Sequence, residues 1–210
     1  MRNKAGIICI FFGAALIFGA LSLFLYNQRE DTAAEKVTVA LMPQLMEVIE
    51  EKEASPTAPA TYEQPLGTPL EYLDPSAFVM TEVEIDGHAY IGYLSIPKLE
   101  LELPIMADWD YPSLQIAPCR YTGSVRGEDL VLMAHNYAAH FGNISQLQPG
   151  DSVIFTDMDG IVTRYEVVAQ DILDPKAVEE MTAGDFDLTL FTCTYGGKSR
   201  VTVYCDRVSP

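Results

Sequence analysis

Cys193 ends an apolar run, LTLFTC (188–193), and stands between Thr192 and Thr194. A glycine pair follows at 196 and 197, and Arg200 then opens a β-branched run, RVTVYC (200–205). A thiol that only fills a core needs no such surroundings. A nucleophilic thiol attacks as thiolate, so it needs an accessible strand end and a base within reach. His135 ends a second short apolar run, DLVLMAH (129–135), and Asn136 follows it, which places its imidazole at a strand end too. Arg200, past the glycine turn, can double back towards Cys193. A guanidinium fixed there can donate to the oxyanion that forms when a thiolate attacks a carbonyl. His88 lies beside Gly87, and His140 lies in the loop after His135; neither is given a role. Cys9 falls inside the apolar amino-terminal stretch and is set aside.

These three side chains must be held by strands. From about residue 80 the chain reads as short apolar runs between turn residues: YIGYLSI (90–96), LELPIM (101–106), DLVLMAH, SVIFT (152–156), IVTRYEVVAQDIL (161–173), LTLFTC and SRVTVYCDRV. Pro97 and Pro104 mark strand ends or sheet edges, because proline cannot donate to a ladder. Asp157-Met158-Asp159-Gly160 is a hairpin signal between two of the runs. Residues 141–147 suit a single helical turn, and Asp174-Pro175 suits the start of a short helix running through Met181. Many short strands, few helices and no β-α-β alternation predict a mainly β domain, an antiparallel barrel or sandwich.

The amino-terminal third is different. Ile7 to Tyr26 is apolar apart from Ser22, long enough at 1.5 Å per residue to cross a hydrocarbon core about 30 Å thick. Arg2 and Lys4 precede it, so the positive-inside rule puts the amino terminus in the cytoplasm and the rest of the chain outside. Its length and the lack of a small-x-small cleavage site favour an uncleaved anchor over a signal peptide. Thr32-Ala33-Ala34-Glu35 fits a capping box, which predicts a new helix there. Val37, Leu41, Leu45, Val48 and Ile49 follow at helical spacing with glutamates on the other face, and Pro43 is expected to bend or interrupt it. The simplest reading is a solvated stalk, with a docking or dimer seam as the alternative. The proline-rich stretch 55–69 reads as a spacer. The chain thus divides into a cytoplasmic tip and anchor (1–29), a stalk and linker (30–79) and one β-domain (80–210). A net charge of −17 excludes the basic stripe that nucleic acid requires.

T-L-F-T-C (189–193), with Arg200 on the following strand and His135 about sixty positions upstream, resembles the sortase family, the membrane-anchored cysteine transpeptidases of Gram-positive bacteria. The resemblance covers about 88–208 and extends to the anchor and stalk. It implies an eight-stranded β-barrel with its active site in a groove. Cys193 would be the nucleophile, His135 the acid–base group and Arg200 the oxyanion and substrate-backbone contact. Thr192 would line the groove beside the bound motif. The implied partners are the LPxTG-like sorting signals of surface proteins, and an amine of a peptidoglycan precursor or of another protein's lysine. The chemistry requires no metal or organic cofactor. The short segment 174–187 and the absence of an aromatic Asp-Pro lid leave the subclass open.

Two other functions remain compatible with the residues: a secreted cysteine hydrolase, in which water resolves the thioester, and a non-catalytic tethered β-domain with Cys193 as a core thiol. Cys119 and Cys205 lie in the exported part, where oxidation is permitted. Their settings allow either a disulfide between them or two buried apolar fillers.

Overall fold

The computed structural model describes residues 2–54 and 79–208, so the proline-rich stretch expected to act as a spacer lies outside the described residues. The first element is a helix, α1 (Arg2–Glu53). Strands β1 (Val83–Ile85), β2 (His88–Ile96) and β3 (Leu101–Met106) follow, then α2 (Tyr111–Ile116), β4 (Cys119–Thr122) and β5 (Leu130–Ala134). Next come β6 (Ser152–Asp157), β7 (Val162–Leu173), α3 (Val178–Thr182), β8 (Leu188–Cys193) and β9 (Arg200–Arg207).

Strand order is β1-β2-β3-β4-β5-β8-β9-β7-β6, and β2 also pairs with β6. That extra pairing closes the eight strands β2 to β9 into a barrel, with β1 a short hairpin strand outside the ring. Most pairs are antiparallel; β3–β4 and β5–β8 are parallel. At Gly92, β2 pairs with β3 and β6 at once, and a Cβ there would stand 2.1 Å from the Thr156 carbonyl oxygen. Pro104 pairs with Tyr93 on β2, and its other side has no ladder, because β4 meets β3 only at Met106. Its missing N–H therefore costs nothing.

Alternation along the strands sorts two faces. Leu130, Leu132, Ala134, Leu188, Leu190, Val203 and Cys205 point into the barrel core with Ile91, Phe155 and Tyr165. Val131 and Phe191 point outward and meet Leu173 and Met181 of the α3 region. α3 begins later than expected: Asp174 caps a turn by accepting the Lys176 N–H at 2.9 Å, and the helix starts at Val178. The predicted turn at 141–147 is a 3₁₀ turn, Ile144–Gln146.

The stalk reading is overturned. α1 is one unbroken helix of 52 residues, passing through Pro43 without interruption. Thr32 does not cap a new helix; its hydroxyl donates 2.8 Å back to the Gln28 carbonyl, one turn earlier. Nor is the second half solvated. Leu41, Leu45 and Ile49 are buried against Ile85, Tyr90, Met106, Leu114 and Met158 on the outside of the barrel. Each such side chain is worth about 1.5–3 kcal/mol when buried, large beside a typical domain stability of about 5–15 kcal/mol. The apolar first half, by contrast, carries its large side chains outward, Phe11 at 73 % exposure and Phe18 at 72 %. Among the described residues α1 is the helix long and apolar enough to cross a membrane.

A single carboxylate ties the far end of α1 to the barrel. Asp159, in the β6–β7 turn, receives Lys52 at 3.4 Å, the Thr81 hydroxyl at 2.7 Å and Arg126 at 2.8 Å. Lys52 and Thr81 flank the proline-rich stretch, yet they meet on one side chain.

Candidate active site

β5 and β8 run parallel, with Ala134 beside Thr192. The next residue on each strand is His135 and Cys193, so the two leave neighbouring strands, about 4.8 Å apart, side by side. β8 and β9 run antiparallel, and Cys193 lies directly opposite Arg200. Core residues at 132 and 134, at 188 and 190 and at 203 and 205 face inward. By alternation His135, Cys193 and Arg200 share the outer face of three adjacent strands. His135, 58 positions before Cys193 and 65 before Arg200 in sequence, is thus brought to their patch by register alone.

Cys193 is half-buried, as an attacking thiol must be if it is to be both shielded and reachable. The Arg200 Nη1 donates to the carbonyls of Gly197 (3.3 Å) and Ser199 (3.2 Å), which holds the guanidinium against the β8–β9 loop. That loop is closed by the Thr194 N–H on the Ser199 carbonyl (3.0 Å) and the Gly197 N–H on the Thr194 carbonyl (2.8 Å). His135 sits where burial pushes its pKa below the ordinary value, while the nearby Glu30 carboxylate works in the opposite direction.

The loop after His135 is tightly wound. The Phe141 N–H donates to the His135 carbonyl, and the His140 and Gly142 N–H groups both donate to the Tyr137 carbonyl. Gly142 permits this: a Cβ there would stand 2.6 Å from the carbonyl oxygens of Asn136 and Tyr137. The Tyr137 ring lies 4.9 Å from that of His135 and 5.5 Å from that of His140. His140 is fully buried, with the Ile116 backbone as a polar group close to its ring. Burial, and then the neighbouring charge of His135, push its pKa down to about 4.

Thr192 is 2 % exposed and faces inward, donating its hydroxyl 2.8 Å to the Ala134 carbonyl. It thereby locks β5 to β8, and with Cys193, Phe141, Ser145 and Val201 it lines a cavity of about 140 Å³. His88 is brought near Asp110 instead, lowering that carboxyl together with the Ser113 hydrogen bonds that dominate the shift. The expected alternative of a bridge between Cys119 and Cys205 is not formed: both thiols are free and fully buried. Cys205 points into the barrel and Cys119 into the helix-facing cluster outside it. The sheet separates them, and burial raises the pKa of Cys119 to about 12 and of Cys205 further still.

What the sequence reading missed is the helix. Asp31 accepts the Ala138 N–H at 2.9 Å, two residues into the loop after Asn136. The available signal was the apolar stripe at 37, 41, 45, 48 and 49, which suits a docked face as well as a stalk.

A profile of the Sortase domain matches residues 94–208, more than half of the chain. Sortase C1 from Streptococcus suis is similar in structure, with 28 % identity, a TM-score of 0.50 and coverage of 59 % of this chain and 75 % of that one. Sortase C1 from Streptococcus agalactiae is similar at 26 % identity and a TM-score of 0.53, covering 60 % and 72 %. A lid mutant of sortase A from Corynebacterium diphtheriae shares the fold at 22 % identity and a TM-score of 0.51, covering 82 % and 96 %. No curated protein sequence matches the chain.

Proposed function

The chain belongs to the sortase family, whose members are cysteine transpeptidases, and from that premise we propose that it cleaves an LPxTG-like sorting signal of surface proteins and passes the acyl part to an amine. The observation that carries this reading is the register: Cys193 directly opposite Arg200, and one residue beyond the Ala134–Thr192 pair that brings His135 alongside. The Cys193 thiolate attacks the threonine carbonyl of the extended signal. Five N–H donors make up the Arg200 fork, so its two carbonyl contacts leave others to meet the oxyanion as it forms. The imidazolium of His135 gives its proton to the departing amine, the C–N bond breaks, and the acyl group remains as a thioester on Cys193. An incoming amine, from a peptidoglycan precursor or another protein's lysine, attacks the thioester. His135 takes its proton, an amide forms and the thiolate is restored.

No step calls for a metal or an organic cofactor. The anchor places the enzyme on a membrane, with the amino terminus in the cytoplasm and the barrel outside; Arg2 and Lys4 ahead of the apolar segment support that orientation. Confinement to one surface with membrane-bound substrates raises their effective concentration.

The test is to incubate the full chain in detergent micelles with a sorting-peptide library and a primary amine, and to identify products by mass spectrometry. Ligated peptide, together with an acyl adduct on Cys193, is the expected result. Hydrolysed peptide alone, with amine present in excess, would make the protein a hydrolase. No adduct with any peptide would remove the catalytic reading altogether.

A further inference from the structure

The juxtamembrane turn of α1 meets the catalytic face at its most sensitive point. Asp31 Oδ1 accepts the Ala138 backbone N–H at 2.9 Å, across 107 positions of sequence. One residue earlier on the helix, the Glu30 carboxylate lies close enough to Tyr137 to add to the rise that burial gives its phenol pKa. Tyr137 is in turn the ring packed on His135. Neither carboxylate is needed to dock the helix, because Leu41, Leu45 and Ile49 bury its face further along and Lys52 fixes its end. Asp31 instead holds the loop after His135, and Glu30 lies within electrostatic reach of His135 itself. We propose that Glu30 and Asp31 are positioning residues, through which the membrane helix sets the orientation of His135 against Cys193. This deepens the transpeptidase reading and rests on it for the role of His135.

The charges around the imidazole support the assignment. On α1, Glu30 and Asp31 face the loop; within the loop are Tyr137 and the buried His140; on β8 and β9 lie Cys193 and Arg200. Burial disfavours the imidazolium, and Glu30 is the carboxylate that opposes it. Burial first, then Glu30, Tyr26 and Asp31 on α1, raise the pKa of the Tyr137 phenol. A carboxylate that leans on the acid–base group through a packed ring controls geometry and charge at once. Small displacements of such a group can cost up to about 100-fold in rate.

Two measurements on the full chain in micelles test this. Histidine-selective labelling lets the His135 imidazole be titrated by NMR without reference to turnover, its signals identified by their loss in His135→Gln. Glu30→Gln should move the His135 midpoint to lower pH. Asp31→Ala should lower kcat for peptide ligation by up to about 100-fold, whereas Asp31→Asn, whose amide oxygen can still accept the Ala138 N–H, should recover most of it. An unmoved midpoint in Glu30→Gln, or equal rates for Asp31→Ala and wild type, would overturn the proposal. A shifted midpoint in a protein that ligates no peptide would uphold the helix contact and sink the transpeptidase reading instead.

Discussion

Leu45 is the residue on which the docking of α1 can be measured. Its side chain is 0 % exposed and lies among Leu41, Ile49, Tyr90, Met106 and Met158, between the helix and the outer face of the barrel. Leu45→Ala removes three carbons from a site closed on one side by a helix and on the other by a sheet. Neither can collapse freely, so the loss should lie within the usual range for buried leucine, about 3 kcal/mol. With a urea slope of about 2 kcal/mol/M, the unfolding midpoint should fall by roughly 1.5 M. Trp109, the single tryptophan, stacks on Tyr121 at 5.7 Å and reports on the barrel by fluorescence. The control is Val39→Ala on the same helix, 67 % exposed; it should change stability by less than about 0.5 kcal/mol. Both variants are compared in the full, detergent-solubilised chain. If Leu45→Ala and Val39→Ala have equal midpoints, the second half of α1 is a solvated stalk and the packing argument fails.

Cys193→Ala should abolish both adduct and product with an unchanged urea midpoint, and Arg200→Lys should lose about 3–4 kcal/mol of transition-state stabilisation, because an ammonium lacks the fork that meets an oxyanion; near-normal kcat in either, measured by peptide ligation, would contradict the site. His140, with its pKa near 4 in the fold against about 6.5 unfolded, binds its proton more readily in the unfolded chain. Stability should therefore be intact above about pH 6.5 and fall as pH drops towards 4, by about 3 kcal/mol in all; His140→Phe should flatten that part of the profile of urea midpoint against pH, and an unaltered slope would refute it. Asp159→Asn should cost about 2 kcal/mol in the same urea assay, since Lys52, Arg126 and Thr81 lose one shared charge; no loss would mean the convergence there is incidental.

The barrel was legible because each strand announces itself within a few residues. The run LTLFTC alternates core and outer positions, and DMDG marks its hairpin without help from elsewhere. The nearness of Cys193, His135 and Arg200 followed from the same local signals, since side chains at strand ends need only the right strand order to meet. The direction of Thr192 was not legible, because it depends on the parity of the strand and on the Ala134 carbonyl across it. α1 was misread for a related reason. Thr32 offers a capping box, but helix propagation from the apolar segment costs less than starting a new nucleus, so the hydroxyl turned back to Gln28. The contacts of Glu30 and Asp31 join parts of the chain more than a hundred residues apart, and no periodicity encodes them.

The unbroken course of α1 sets a height. If the apolar segment ends at Tyr26, Asp31 stands only about 8 Å further along the helix axis. His135 and its loop are fastened at that level, and Leu41 to Ile49 keep the barrel from tilting away from the shaft. The domain then resembles a flag fixed to its pole rather than a buoy on a line: it turns about the membrane normal and drifts in two dimensions, but it does not rise. On the proposed membrane-anchored transpeptidase reading, substrates would have to present their reacting bonds close above the lipid headgroups. A sorting signal followed immediately by its own membrane segment would meet that requirement, and one held far above the surface by a rigid spacer would not.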